Sequence, residues 1–126
     1  MVTTQFSGPV DQSDISRADS LAREIFADIA NKWALLIIES IGDQTLRFGE
    51  LRTAVDGISH KMLTQNLRML ERNGLLTRHV HPTVPPRVEY TLTESGQGLR
   101  LTIDGMCTWT RRYLVDIEAA RRVFDA

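Results

Sequence analysis

Polar and basic side chains recur between residues 60 and 72 at the spacing of one helix face. Their intervals are i, i+3, i+4, i+7 and i+11, and they are Lys61, Thr64, Gln65, Arg68 and Arg72. Arginine can donate to two acceptors of guanine, glutamine can pair with adenine, and threonine can contact the thymine methyl group or a phosphate. This polar stripe is therefore suited to contact with nucleic acid. A merely solvated helix face is the alternative.

Other groups able to do chemistry do not form a catalytic pattern. The sequence has no glycine-rich phosphate loop, no HExxH and no GxSxG. Three histidines, His60, His79 and His81, lie near the stripe, but no carboxylate or cysteine completes a metal set at ligand spacing. With Cys107 as the single cysteine, an internal disulfide and a cysteine-based zinc site are excluded. We expect no enzyme activity, no metal and no cofactor.

The charge distribution favours a polyanionic partner touched on one face. The 126 residues carry a formal net charge of -1, with 42% hydrophobic and 25% charged residues, as in an ordinary globular domain. Residues 44–90 hold 7 basic and 4 acidic side chains, whereas residues 1–43 hold 3 and 7. Of the 15 basic residues, 13 are arginine, which suits bidentate contact with phosphate and guanine.

Apolar spacing predicts the helices that position the stripe. The segment KWALLIIES is apolar on nearly every side and predicts a central helix that ends at Gly42. A short helix closed by Gly57 follows, with Phe48, Leu51 and Val55 on its inner face. The stripe itself belongs to a helix that runs from a Ser59 cap to Gly74 and buries Leu63, Leu67 and Leu70.

A hairpin and two flanking helices complete the predicted elements. After Gly74 the period changes to 2, so LLTRHVH and RVEYTL read as two strands joined by the stiff loop PTVPP. Residues 1–12 predict a flexible tail, followed by a helix with a broad buried face, capped by Ser13 or Asp14. The last helical region begins after a Thr93 cap, with a kink at Gly105.

This order of elements predicts a winged helix-turn-helix, a mainly α fold with a small β-hairpin (α+β). Residues 13–126 form one DNA-binding domain, with additional dimerisation helices at 13–30 and 94–126. Their apolar surface exceeds what one small core can cover, and exposed apolar patches of that kind mark interfaces. A helix of this type offers its polar face to the major groove, and the hairpin would reach an adjacent minor groove.

Several motifs also resemble a known family. NKWALLII, RFGEL, ISHKML, NGL and PPRVEYTLT occur in the order and near the spacing of the HxlR group of bacterial winged-helix regulators, distant relatives of the MarR proteins, over roughly Leu21 to Trp109. The resemblance implies a homodimer on a pseudo-palindromic operator of double-stranded DNA. It also places Arg47 beside the phosphate backbone and Arg87 on the wing. The recognition helix that it implies would carry Ser59, His60, Lys61, Thr64, Gln65 and Arg68.

The chain departs from the family at one position. Many members carry a Cys-Pro pair about thirteen residues before the tryptophan, and in some that cysteine senses oxidants, but counting back from Trp33 leads to Ser20. We expect Cys107 to be a buried structural cysteine on the last helix. Four aromatic residues could line an effector pocket, although core packing is the more common role; they are Phe26, Trp33, Trp109 and Tyr113.

The sequence thus predicts a cytoplasmic, sequence-specific DNA-binding repressor with no membrane partner; a small-molecule effector of unknown identity is left open. The alternative is a winged-helix module that binds a protein and has no specific DNA affinity.

Overall fold

The computed structural model describes residues 11–126. This part of the chain separates into two compact units, one ending at Lys32 and the other spanning Trp33–Ala126. The first contains helix α1 (Gln12–Ile29). The second contains nearly all of α2 (Lys32–Ile41) and everything after it. None of the helices within residues 11–126 is long and apolar enough to cross a membrane.

Helix α1 differs from its prediction in its cap and its burial. Asp11 caps it, since the Asp11 Oδ1 accepts from the Asp14 backbone N–H at 2.8 Å, so the predicted cap at Ser13 or Asp14 was wrong. The broad apolar face is largely exposed in the single chain, and only Ile29 is buried. Apolar periodicity identifies the face that a helix can bury, but it does not supply the surface that covers it.

The core of the second unit is built around α2, as predicted. Ala34, Ile37, Ile38 and Ile41 are fully buried. After Gly42, which has a φ of 52°, come β1 (Thr45–Arg47), α3 (Phe48–Ala54) and α4 (His60–Arg72). The buried faces of α3 and α4 add further apolar side chains to the core: Leu51, Leu63, Leu67 and Leu70.

The sheet has three strands, one more than predicted. Strands β2 (Leu76–His81) and β3 (Arg87–Leu92) form the expected antiparallel hairpin. Strand β1 also pairs with β3, which gives the order β1–β3–β2. A three-residue strand is too short for period-2 alternation to stand out in the sequence. Its position is set by pairing with a strand more than 40 residues away.

The C-terminal region forms two helices that meet at Tyr113. Helix α5 (Glu94–Arg112) starts at the predicted Thr93 cap, whose hydroxyl accepts from the Gly96 backbone N–H at 3.1 Å. Helix α6 (Leu114–Asp125) follows. The break therefore lies at Tyr113 and not at Gly105, which is inside α5. Beyond Ile103, the apolar side chains of this region are mostly exposed.

Polar contacts tie the first half of α5 to the end of α2. The Gln97 Nε2 donates to the Gly42 carbonyl at 2.8 Å, and the Arg100 guanidinium donates to the Asp43 carboxylate at 3.2 Å. Burial raises the pKa of Glu39, and a hydrogen bond with the Asp104 carboxyl raises it further. These contacts hold α5 against the end of α2 as far as Asp104. Most side chains later in α5 are exposed.

Gly96 should be intolerant of a side chain because a Cβ there would collide with the Leu75 carbonyl oxygen. We expect Gly96→Ala to lower the free energy of unfolding by about 2–3 kcal/mol through overpacking. Gly98→Ala is the matched control, since a Cβ at that helical position meets nothing within 4 Å. It should raise the free energy by about 0.5–1 kcal/mol through helix propensity. Urea denaturation measures both, and equal stability of the two variants would contradict the close contact.

Candidate nucleic-acid interface

Helix α4 presents a sharply divided surface. Leu63, Leu67 and Leu70 are buried on one side, and the polar stripe lies on the other. Lys61, Gln65 and Arg68 are exposed, and within residues 11–126 their side chains have no hydrogen bond or ion pair. Buried leucines at i, i+4 and i+7 hold the helix so that these three side chains face solvent together. Their donors are free to bind a ligand.

Two predicted interface residues make local contacts within α4. The Ser59 Oγ accepts from the Met62 backbone N–H at 3.1 Å, so Ser59 is the helix cap. The Thr64 hydroxyl donates to the His60 carbonyl at 2.8 Å. Because its proton is used inside the helix, Thr64 can offer an outside partner its methyl group or the oxygen as an acceptor.

His60 and Arg47 connect the start of α4 to the sheet. The His60 ring lies against the Phe48 ring, with centroids 4.7 Å apart. Phe48 directly follows Arg47, the last residue of β1, whose backbone N–H donates to the Glu50 carboxylate at 2.8 Å. The Arg47 side chain is exposed. The start of α4 and the end of β1 are thus held side by side.

The wing carries the remaining predicted residue, Arg87, beside an acid. The Glu89 Oε1 lies 2.5 Å from the His81 Nε2, and the Glu89 Oε2 lies 3.8 Å from the Arg87 Nε. The hydrogen bond from His81 lowers the pKa of Glu89. The His79 and His81 ring centroids are 4.5 Å apart. No group of three potential metal ligands occurs within residues 11–126.

Sequence reasoning did not single out Glu89. The period-2 pattern of RVEYTL already placed Glu89 on the same face as Arg87. What it could not give was the register, in which Glu89 is the Cα partner of both Arg47 on β1 and His79 on β2. A carboxylate therefore stands beside the histidine pair, although within residues 11–126 no group of three potential metal ligands forms there. The wing therefore carries a cluster in which the Glu89 carboxylate contacts the basic side chains of His81 and Arg87.

The predicted roles of the C-terminal aromatics and cysteine need correction. Trp109 is 55% exposed and Tyr113 is 38% exposed, so neither is core. Their ring centroids are 6.0 Å apart, and both line an open cavity with Asp116, Ile117 and Ala120. Cys107 is exposed in the single chain, not buried. The apolar face of this helix region has no covering element within the second unit, so its periodicity overstated burial.

Comparison with known proteins identifies the same architecture. The family profile for HxlR-like helix-turn-helix proteins matches residues 28–118. An HTH-type transcriptional regulator of Methanothermobacter thermautotrophicus is 43% identical over 86 residues, which cover 68% of this chain and 66% of that protein, just under two thirds of its length. YtfH of Escherichia coli, also an HTH-type transcriptional regulator, is 36% identical over 100 residues and 79% of each chain.

A solved structure shows the same fold. The reduced form of the transcriptional regulator YodB from B. subtilis superposes with a TM-score of 0.66 at 35% sequence identity. The match covers 72% of this chain and 89% of YodB.

Ser59 should act through helix stability. We expect Ser59→Ala to lower the free energy of unfolding by about 1 kcal/mol because the Met62 N–H loses its acceptor. Ser59→Asp should unfold close to wild type, since aspartate is an equally good cap. Chemical denaturation monitored by circular dichroism measures both. If Ser59→Ala unfolds like wild type, the cap does not stabilise α4.

Proposed function

Because the chain belongs to the HxlR-like helix-turn-helix family of transcriptional regulators, we propose that it binds a specific DNA operator as a homodimer and represses transcription by occupying it. The observation that carries this proposal is a row of exposed side chains on α4 that have no hydrogen bond or ion pair to any residue from 11 to 126: Lys61, Gln65 and Arg68. A regulator of this kind acts on chromosomal DNA, so we place it in the cytoplasm.

The shape and chemistry of α4 support readout in the major groove. The helix has 13 residues, which corresponds to about 20 Å of length. Its apolar face is held by its own domain, so its polar face is available to a groove about 12 Å wide. Arg68 is suited to guanine and Gln65 to adenine, while Thr64 presents its methyl group to thymine. We assign base contacts to these three residues.

Backbone contacts would come from both sides of α4. Lys61 lies in the first turn, and His60 next to it is held by Phe48. Arg47, at the end of β1, is adjacent to Phe48 and suits a phosphate contact. Arg87 stands where the wing loop enters β3. In a minor groove the base code is degenerate, so charge at Arg87 would supply affinity and not sequence discrimination.

The alternative function is a winged-helix module whose basic surface binds an acidic protein. The two are separated by binding to duplexes from upstream of the protein's own gene. Base and phosphate readout requires sequence-dependent binding that falls steeply as salt rises. If the protein does not bind duplex DNA at low salt, the result would support the protein-binding module.

Substitutions of Arg68 and Arg87 should change DNA binding in different ways. We expect Arg68→Ala to cost about 1–3 kcal/mol on the operator and much less on scrambled DNA, because a base contact is lost. Arg87→Ala should weaken both duplexes by similar factors and reduce the salt slope by about one unit. Fluorescence anisotropy at several salt concentrations measures these changes.

Arg121→Ala is the matched control, because it removes the same charge from the exposed surface of α6. It should leave the affinity for both duplexes unchanged. If Arg68→Ala weakens both duplexes equally, α4 holds phosphate and does not read bases.

The exposed apolar faces of α5 and α6 support a homodimer. Large apolar side chains stand in solvent in the single chain, among them Met106, Trp109, Leu114, Val123 and Phe124. Their burial between two subunits would remove this surface from water at about 25 cal/mol per Å². A two-fold dimer would place its operator half-sites about 34–36 Å apart, or a multiple of that distance.

We expect sedimentation equilibrium to give a dimer at micromolar concentration. Leu114→Glu should shift it toward monomer, because a carboxylate in an apolar interface is costly to desolvate. Arg122→Glu, an exposed change on the same helix, is a control for charge and should have a smaller effect. A wild-type protein that sediments as a monomer would overturn the dimer.

A further inference from the structure

Glu89 is an acid at the centre of a surface that otherwise carries basic groups. Its Cα partners in the sheet are Arg47 on β1 and His79 on β2. Residues paired in this way project from the same face of a sheet. Arg87 and His81, two residues along their strands, share that face and are paired with each other. One carboxylate is therefore flanked by basic groups from all three strands.

The contacts of Glu89 restrain its neighbours at their inner ends. Its Oε1 lies 2.5 Å from the His81 Nε2, within hydrogen-bond distance. Its Oε2 lies 3.8 Å from the Arg87 Nε, a buried atom that has no hydrogen-bond partner among residues 11–126. The Arg87 side chain as a whole is 39% exposed. Within residues 11–126, its two terminal nitrogens have no hydrogen bond or ion pair.

We propose that Glu89 is a positioning residue of the wing. Its hydrogen bond with the His81 ring fixes the carboxylate, and its ion pair with the inner nitrogen of Arg87 orients that side chain so that the outer guanidinium nitrogens are presented to a DNA phosphate. The proposal rests on the proposed function, since it assumes that the wing contacts DNA. It adds that an acid on this surface strengthens DNA binding.

Two opposing effects decide whether Glu89 strengthens or weakens DNA binding. A carboxylate near the phosphate backbone repels it, but salt screens this repulsion over about 8 Å at physiological ionic strength. The opposing effect is the rotamer entropy of arginine, part of which is already lost before binding when the side chain is held in one orientation. The hydrogen bond from His81 lowers the pKa of Glu89, which favours the ionised carboxylate.

Glu89→Gln tests the sign, because it removes the charge and keeps the shape. We expect its affinity for duplex DNA at about 0.15 M salt to fall by threefold to fivefold, an effect of the size that one exposed ion pair gives. Asp56→Asn is the matched control. Asp56 is exposed in the same basic segment, and within residues 11–126 its side chain has no hydrogen bond or ion pair. Its removal should leave affinity unchanged or slightly raise it.

A double-mutant cycle separates positioning from a general structural effect. If Glu89 acts through Arg87, Glu89→Gln should cost little in an Arg87→Ala background, so the two losses will not add. Additive losses, or a Glu89→Gln variant that binds as tightly as wild type or tighter, would overturn the proposal. If wild type itself ignores duplex DNA at low salt, it is the proposed function that fails.

Thermal unfolding of each variant checks that the fold is retained. If Glu89→Gln does not fold, His81→Gln replaces it in the test. This substitution removes the imidazole that contacts Glu89 at 2.5 Å and puts an uncharged side chain in its place. We expect its affinity for duplex DNA to fall about twofold at about 0.15 M salt. Unchanged affinity in that folded variant would overturn the positioning role.

Discussion

The burial of one face of α4 fixes the direction of the side chains that could touch DNA. Leu63 and Leu70 are fully buried, and Asn66 beside them donates its side-chain amide to the Met62 carbonyl. Since side chains on a helix are spaced about 100° apart, this burial leaves Lys61 and Arg68 facing solvent. The core supplies orientation, and the surface residues remain free to supply chemistry.

The sheet adds a second constraint of a different kind. Pairing of β1 with β3 places Arg47 opposite Glu89, and Phe48, the next residue, contacts His60 at the start of α4. The wing and the helix are therefore joined by a short covalent and packing path, not by a flexible linker. A change in strand register by one residue would turn Arg47 to the other face of the sheet and separate it from Glu89.

Helices α5 and α6 carry apolar surface that lies outside the core. Helices α5 and α6 carry exposed residues such as Trp109 and Phe124, which a single chain leaves in water. The first turns of α5 are held by Gly96 against the Leu75 carbonyl and by Gln97 against the Gly42 carbonyl. One end of α5 is thus anchored to the core, whereas most apolar side chains beyond Ile103 are exposed.

The local features of the fold follow from the amino-acid sequence alone. The Ser59 and Thr93 caps, the turn at Gly74 and the burial of Leu63, Leu67 and Leu70 all follow from neighbouring residues, because caps, turns and helix faces depend on short intervals. Strand β1, the place of Glu89 among the basic residues, and the exposure of Cys107 and Trp109 were decided only by the tertiary structure. Each depends on which distant segment lies opposite, or on whether any segment does, and periodicity along one chain does not contain that information.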